Sequence, residues 1–335
     1  MATIYHIAER LGISPSTVSR ALSGRGYCKE NTREQVLRMA KELNYAPDHA
    51  AKMLKTRVTK KILFAVPDIC NPFYFDMIHG INSVIEEYGY LLILLHTKNE
   101  LDEELRAIQT LREKYADGMI MVSFDFNDRN IDAINGLGAP VVLTNRYESQ
   151  GGNDRFHYVY VDTYVGIRQI VRHFIGQGME RIAYVGGSLQ EQTGGERYRG
   201  YSDAMEEAGL RVHPEYVLEA DYTEHGGYLA GQRLLQSALL PQAVALANDL
   251  MAFGFMKACE ERGVVVPDDI AVAGMDNLDI GARVHPKLTS VDLQVREIGR
   301  HAARILMQLL HDEQTDIRNV RLVPQLIVRE SSLRK

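Results

Sequence analysis

The sequence predicts a small helical head carrying a helix-turn-helix, joined to an α/β core of two similar lobes built on parallel sheets. Three observations carry that prediction. Apolar residues of the head recur at helical spacing and restart across a tight Gly-containing turn. From Lys61 onward, short apolar strands alternate with amphipathic helices, the pattern of parallel sheets covered on both faces. A strand–loop–helix unit closed by Glu-Glu-X-Gly occurs twice, from Ile62 to Gly89 and from Ile182 to Gly209.

In the head, Ile4, Ile7, Ala8 and Leu11 share one helical face, with Thr3 in N-cap position and Gly12 as the stop. Ser14-Pro15 restarts a helix, Ser as cap and Pro at the first helical position, where its missing N–H costs nothing. Val18, Ala21 and Leu22 give this second helix an apolar face; Ser16, Thr17, Ser19 and Arg20 form its polar one. Asn31-Thr32-Arg33-Glu34 reads as a capping box for a third helix lined by Val36, Met39, Ala40 and Leu43. Two short helices across a tight turn, closed by a third, make the helix-turn-helix plan, whose second helix enters the DNA major groove. After Pro47, Asp48 can cap a further short helix holding Lys52, Leu54 and Lys55, too short to be stable alone and suited to folding on a DNA minor groove.

Charge agrees with that reading. Residues 1–60 hold 11 basic and 5 acidic residues, a net +6, whereas the whole chain of 335 residues is −6, which leaves −12 for the rest. A basic head on an acidic body expects an anionic partner for the head alone. Cys28, Cys70 and Cys259 are odd in number and far apart, which argues against disulfides and a CxxC metal site. No apolar run approaches the ~20 residues of a membrane span, and the first residues lack a signal-peptide pattern, so a cytoplasmic location is expected.

In the core, strands are expected at Ile62–Val66, Tyr90–Leu95, Gly118–Val122, Val141–Leu143, Ile182–Val185, Val244–Ala247 and Ile270–Ala273. Ligands of open α/β sheets bind beyond the carboxyl ends of the strands. The loops there are rich in Asn, Asp, Arg and aromatic residues: Asn71, Phe73, Tyr74, Asn145, Arg146, Arg197, Tyr222, Asn248, Asp249, Asp276 and Asn277. Hydrogen-bonding forks and carboxylates suit vicinal hydroxyls, and aromatic faces suit the apolar faces of a sugar ring. The competing reading is that Asp and Asn at such ends cap the next helix.

These residues carry a resemblance. Thr3-Ile4, Ile7-Ala8, Gly12-Ile13-Ser14-Pro15-Ser16-Thr17-Val18-Ser19-Arg20-Ala21-Leu22 and Leu43-Asn44-Tyr45-Ala46-Pro47 resemble the LacI/GalR family of bacterial transcription regulators. Asn71-Pro72-Phe73-Tyr74, Ala247-Asn248-Asp249, Val266-Pro267-Asp268-Asp269-Ile270 and Leu288-Thr289-Ser290-Val291 extend it over the whole chain. The resemblance implies a headpiece at 1–46, a hinge helix and linker at 47–59, and a core like a periplasmic sugar-binding protein at 60–335. Its N-lobe would comprise about 60–160 and 292–323, its C-lobe about 161–291 and 324–335. It further implies a homodimer on a palindromic DNA operator. Pro15, Ser16 and Arg20 match base-facing positions, Leu54 the leucine that wedges into the minor groove, and Lys52 a place where many members have Arg. Thr3, Thr17, Ser19 and Lys55 complete the expected DNA face. Phe73, Tyr74, Thr193, Arg197, Tyr222, Asn248 and Asp276 match effector-contacting positions; Asn71, Asn145 and Arg146 are expected beside them. His6 stands where the family usually has an acid, so a capping box with Thr3 is expected to fail when the ring is charged.

The function expected is sequence-specific repression of carbohydrate-utilisation genes under control of a sugar-type effector. A nucleobase effector and a phosphorylated carrier protein as co-regulator remain open. A sugar transport protein would carry no basic helix-turn-helix head. An enzyme is not expected, since GxGxxG after a strand, a P-loop, GxSxG and HExxH are absent, and no cofactor or metal is implied.

Overall fold

The computed structural model describes residues 2–24, 26–46, 56–124, 126–146, 156–311 and 319–334. The chain divides into two compact units, Met1–Val58 and Thr59–Lys335.

The first unit holds α1 (Ile4–Leu11), α2 (Pro15–Ser23) and α3 (Glu30–Glu42). Ile7, Ala8, Val18, Ala21, Val36 and Ala40 are buried together as its core. Gly12 and Gly24 end α1 and α2 at φ of 64° and 68°, left-handed conformations that Gly adopts without a Cβ penalty. Ser14 caps α2 by accepting from the Thr17 N–H at 3.2 Å. Thr3 N–H donates to His6 Nδ1 at 3.2 Å, so the ring stands where the acceptor of an acid would. One expectation changes. The third helix starts at Glu30 with Lys29 as its uncapped N-cap, which puts Asn31 and Thr32 inside the first turn and removes the expected capping box. The expected hinge, with Lys52, Leu54 and Lys55, lies outside the described residues.

Among the described residues, the second unit is built on two six-stranded sheets. The strands are β1 (Lys61–Val66), β2 (Leu91–His96), β3 (Gly118–Met121), β4 (Val141–Leu143), β5 (His157–Val161), β6 (Ile182–Gly186), β7 (Val217–Glu219), β8 (Ala243–Leu246), β9 (Ala271–Met275), β10 (Thr289–Asp292), β11 (Asn319–Leu322) and β12 (Gln325–Ile327). One sheet runs β11-β5-β4-β3-β1-β2, the other β12-β10-β9-β8-β6-β7. Pairing is parallel throughout except β10 with β12, which is antiparallel. The chain therefore passes between the sheets after β5, after β10 and between β11 and β12. Strands β3, β4, β6, β8 and β9 are buried end to end, as strands covered on both faces must be.

Helices α4 (Phe73–Ile85), α5 (Leu101–Arg112), α6 (Asp128–Asn135), α7 (Thr163–Gly176), α8 (Gln192–Glu207), α9 (Glu224–Leu234), α10 (Asp249–Glu261) and α11 (Val295–Leu310) cover the sheets. Pair α9/α10 meets at backbone distance. A Cβ on Gly254 would stand 1.8 Å from the Glu224 carbonyl oxygen, and one on Gly227 2.1 Å from that of Met251. Gly89, Gly209 and Gly263 have φ near 70°, as expected of glycines just past helix ends.

Candidate functional site

The loops at the carboxyl ends of the strands enclose a cleft of about 540 Å³ between the two sheets. Ten of the residues expected from the sequence line it: Asn71, Phe73, Tyr74, Asn145, Arg146, Thr193, Arg197, Tyr222, Asn248 and Asp276; Asp249 and Asn277, also offered by the strand-end pattern, do not. The strand-end rule also brings in Ser123, Phe124, Tyr160, Asp162 and Glu196, which were not singled out.

On the wall of the first sheet, the turn before α4 is fixed by Asn71, whose Oδ1 accepts from the Phe73 N–H at 3.0 Å. Tyr74 is buried and packs edge-on against Phe73 and Phe64, with centroids 5.1 and 6.4 Å away. Burial, and then the Asp276 carboxylate, push its hydroxyl pKa far up, so Tyr74 is a neutral donor. Asn145 donates its side-chain amide to the Ser123 carbonyl. Asp162 caps α7 through the Val165 N–H at 3.1 Å and pairs with Arg321 at 2.5 Å.

On the opposite wall, Arg197 projects from α8 and is only 8% exposed. Its guanidinium lies 5.2 Å from the centre of the Tyr222 ring. Burial works against its charge, but Tyr222, Asp276 and Tyr184 outweigh that and hold the proton more tightly than usual. Asn248 has two tasks: its Oδ1 caps α10 through the Met251 N–H at 2.9 Å, and its Nδ2 donates to the Tyr222 carbonyl at 2.8 Å. Asn248 therefore caps a helix and lines the cleft at once. Asp276 leaves the end of β9 at φ 122° and is 8% exposed. Burial and then the neighbouring Asp249 drive its pKa well up.

The walls touch each other at the rim. Gln192 Nε2 donates to the Arg146 carbonyl at 2.9 Å, Asn99 Nδ2 to Glu191 Oε1 at 3.1 Å, and Phe124 meets Tyr222 with ring centres 5.5 Å apart. Inside, Ser123 Oγ, Arg197 Nε and Tyr222 Oη are buried without a hydrogen-bond partner among the described residues. A folded protein rarely leaves such atoms unsatisfied. No group of three or more metal-ligating side chains occurs among the described residues.

On the head, Thr3, Ser16, Ser19 and Arg20 are exposed, and Pro15 and Thr17 half-buried. Ser16 Oγ and Thr17 Oγ1 each lie 2.8 Å from Ser14 Oγ, so the cap and the polar face form one network. Arg20 Nε donates to the Ser16 carbonyl at 3.3 Å, one turn back, which lays the side chain along the helix. Tyr5 and Tyr27, 68% and 83% exposed, add aromatic surface that the sequence reading passed over.

Comparison with known proteins fits both parts. Residues 3–48 match the family "Bacterial regulatory proteins, lacI family", and residues 171–332 a periplasmic binding protein-like domain. Catabolite control protein A of Priestia megaterium is 32% identical over 98% of this chain and 99% of its own length. The HTH-type transcriptional repressor PurR of Photobacterium profundum is also 32% identical, over 99% and 98%. Among solved structures, a transcriptional regulator CelR–cellobiose complex is 29% identical, with TM-score 0.75 over 99% of this chain and 100% of that one. The lac repressor dimer bound to operator and the anti-inducer ONPF, 24% identical, shares the fold at TM-score 0.87 over 99% of both chains. No described helix is long and apolar enough to cross a membrane. With a helix-turn-helix head, a two-sheet core around a polar cleft and relatives of this identity along its full length, the chain belongs to the lacI family of DNA-binding transcriptional regulators.

Proposed function

We propose that this regulator is a homodimeric repressor whose operator binding is controlled by a sugar-type effector held in the cleft. The observation that carries the effector reading is the set of buried polar atoms on the cleft walls that have no partner among the described residues, Ser123 Oγ, Arg197 Nε and Tyr222 Oη. Each is a hydrogen bond waiting for a polar ligand. Asn71, Asn145, Asn248 and Asp276 add amides and a carboxyl, and Phe73 and Tyr222 add aromatic faces, the combination that suits a hydroxylated ring. The cellobiose bound by a 29% identical regulator favours the same class.

On the DNA side, Ser16, Ser19 and Arg20 would meet base edges from the major groove, and the hinge segment with Lys52, Leu54 and Lys55 would fold on the operator centre. The effector acts through its difference in affinity for the two states of the core. The N- and C-lobes would be about 60–160 with 292–323 and 161–291 with 324–335; closing them on a ligand would change the spacing of the two hinges in a dimer.

The test is thermal unfolding against a panel of sugars, sugar phosphates, amino acids and purine bases. A ligand at 100 times its Kd adds about 2.7 kcal/mol to stability. A shift with a sugar or sugar phosphate supports the reading. A shift with a purine alone replaces it by the nucleobase reading, which the match to a repressor named PurR favours. A silent panel removes the small-molecule reading in favour of a protein co-regulator.

A further inference from the structure

Behind Asp276 lies a second carboxyl that faces no cleft. Asp249 is the first residue of α10 and is fully buried. Its Oδ1 accepts from Ser290 Oγ at 2.6 Å and its Oδ2 from the Leu278 N–H at 2.8 Å. Strand β9 packs directly on it: a Cβ on Gly274 would stand 2.4 Å from Asp249 Oδ1. One side chain thus ties together the start of α10, the end of β9, β10 and the corner that follows β9.

That corner is strained. Asp276 and Asn277 are consecutive non-glycine residues with φ of 122° and 56°. Such conformations persist only where the surroundings over-determine them, and they cluster at ligand-binding sites. Here the restraints are few and traceable. Asp276 N–H donates to the Val291 carbonyl at 2.9 Å, Asn277 N–H to Ser290 Oγ at 2.9 Å, and Arg329 to Asn277 Oδ1 at 2.6 Å. Ser290 Oγ is itself oriented by Asp249, so two of the restraints, at Asn277 and at Leu278, run through that carboxylate.

We propose that Asp249 is a positioning residue of the effector cleft: it holds the strained corner from which Asp276 faces the cavity, without itself touching the effector. The inference rests on the effector reading only for its consequence; the positioning itself is a property of the free protein.

The electrostatics give a readout that plain packing would not. Burial pushes Asp249 up to about 7, while the bonds from Ser290 and the Leu278 N–H, and the Arg329 charge, pull it back. Asp276 is raised by burial and then by Asp249, and lowered by Arg197. Two carboxyls so close titrate as a pair. The groups facing them are Arg329 from the C-terminal segment, Arg197 from α8, Ser290 from β10, and the Tyr74 hydroxyl from α4.

The experiment follows the Asp276 carboxyl by carbon NMR in the full-length, ligand-free protein, with amide exchange at 276–278 measured alongside. In Asp249→Asn the like charge is gone, and the Asp276 midpoint should fall by about one pH unit, a tenfold change in proton affinity. In Ser290→Ala the bond that favours the charged Asp249 is gone, so the Asp249 midpoint, followed at its own carboxyl, should rise instead. Both variants should speed exchange at 277 and 278 tenfold or more while the centres of β8 and α10 stay protected. Opposite midpoint shifts with local loosening support the proposal. An Asp276 midpoint unmoved in Asp249→Asn, or a corner that exchanges as slowly as wild type in both variants, overturns it. If Asp249→Asn fails to fold, Ser290→Ala decides alone, by the direction of the Asp249 midpoint and the rate at 278, whose N–H bonds to Asp249 and not to Ser290. No ligand is added, so failure of the effector panel and failure of this inference are separate results.

Discussion

At the scale of single residues, the cleft is a set of polar atoms whose cost is borne until a ligand arrives. Ser123 makes the point most simply. Its hydroxyl is buried and has no partner among the described residues, a condition that costs ~1–3 kcal/mol. Ser123→Ala should therefore leave the free protein as stable or more stable by up to about 1 kcal/mol in chemical denaturation, yet weaken the effector-induced shift. Arg197→Ala should abolish that shift and leave operator affinity in a gel-shift titration within about twofold; an unaltered shift would remove Arg197 from the site. The pH profile of stability should carry the Asp249 signature. Below its unfolded value of 3.8 both states hold the proton; between there and about 7 only the folded state does. Stability should thus decline as pH rises through that window, by at most about 1.4 kcal/mol per unit from this group, and level off above it. The thermal midpoint of Asp249→Asn should decline less steeply through that window, where Asp276, raised chiefly by burial, still contributes; a pH series of unfolding curves checks this. The sequence exposed most of the cleft because Asn, Asp and Arg at strand ends are visible as residue types. It hid Ser123 and the task of Asp249, because burial without a partner, and support of a neighbour from behind, exist only once distant segments meet.

At the scale of elements, short-range chemistry was the most readable part. Ser14-Pro15 starts α2 and Gly12 ends α1 as the sequence implied, since caps depend on three or four adjacent residues. The core strands β1, β3, β4, β6, β8 and β9 were legible as apolar runs. Strands β5, β7, β10, β11 and β12 were not, being three to five residues long with polar members such as His157, Glu219, Asp292 and Gln325. Their pairing comes from the sheet they join rather than from their own pattern. The helix crossings were equally hidden. Gly227 and Gly254 look like weak points of helices in the sequence; in the fold they let α9 and α10 approach to backbone contact. Gly254→Ala would force its methyl into the Glu224 carbonyl from a rigid helix, where no flexible side chain can yield. We expect a loss of roughly 3 kcal/mol or more, well above the gain of a few tenths to 1 kcal/mol that Gly→Ala gives in an open helix. Urea denaturation measures this; a stabilised variant would show that the two helices part readily.

At the scale of the whole molecule, the proposed dimer has a surface to explain it. Strand β2, Leu-Leu-Ile-Leu-Leu-His, is at the edge of its sheet, where Leu91 is 69% and Leu94 43% exposed. Soluble proteins do not leave an apolar edge strand bare; they blunt it with charge or cover it. Nothing in β2 blunts it before His96, and the cover we propose is a second copy of the chain. A repressor of this kind needs that second copy on physical grounds. One short recognition helix reads too few bases for a genome-scale search, while two heads on a palindrome join their affinities through one effective concentration. Replacing both Leu91 and Leu94 by Lys puts like charges on a proposed interface and should turn a dimer of about 76 kDa, twice the 37.8 kDa chain, into a monomer in sedimentation equilibrium. The residues expected to contact the effector lie on cleft walls away from β2, so the monomer should still answer the effector in thermal unfolding. Operator affinity, which needs both heads, should fall a hundredfold or more, the order of gain that linking two binding modules supplies. A variant that stays dimeric would move the interface off β2, and a monomer that binds operator as tightly as wild type would leave the paired heads without a function.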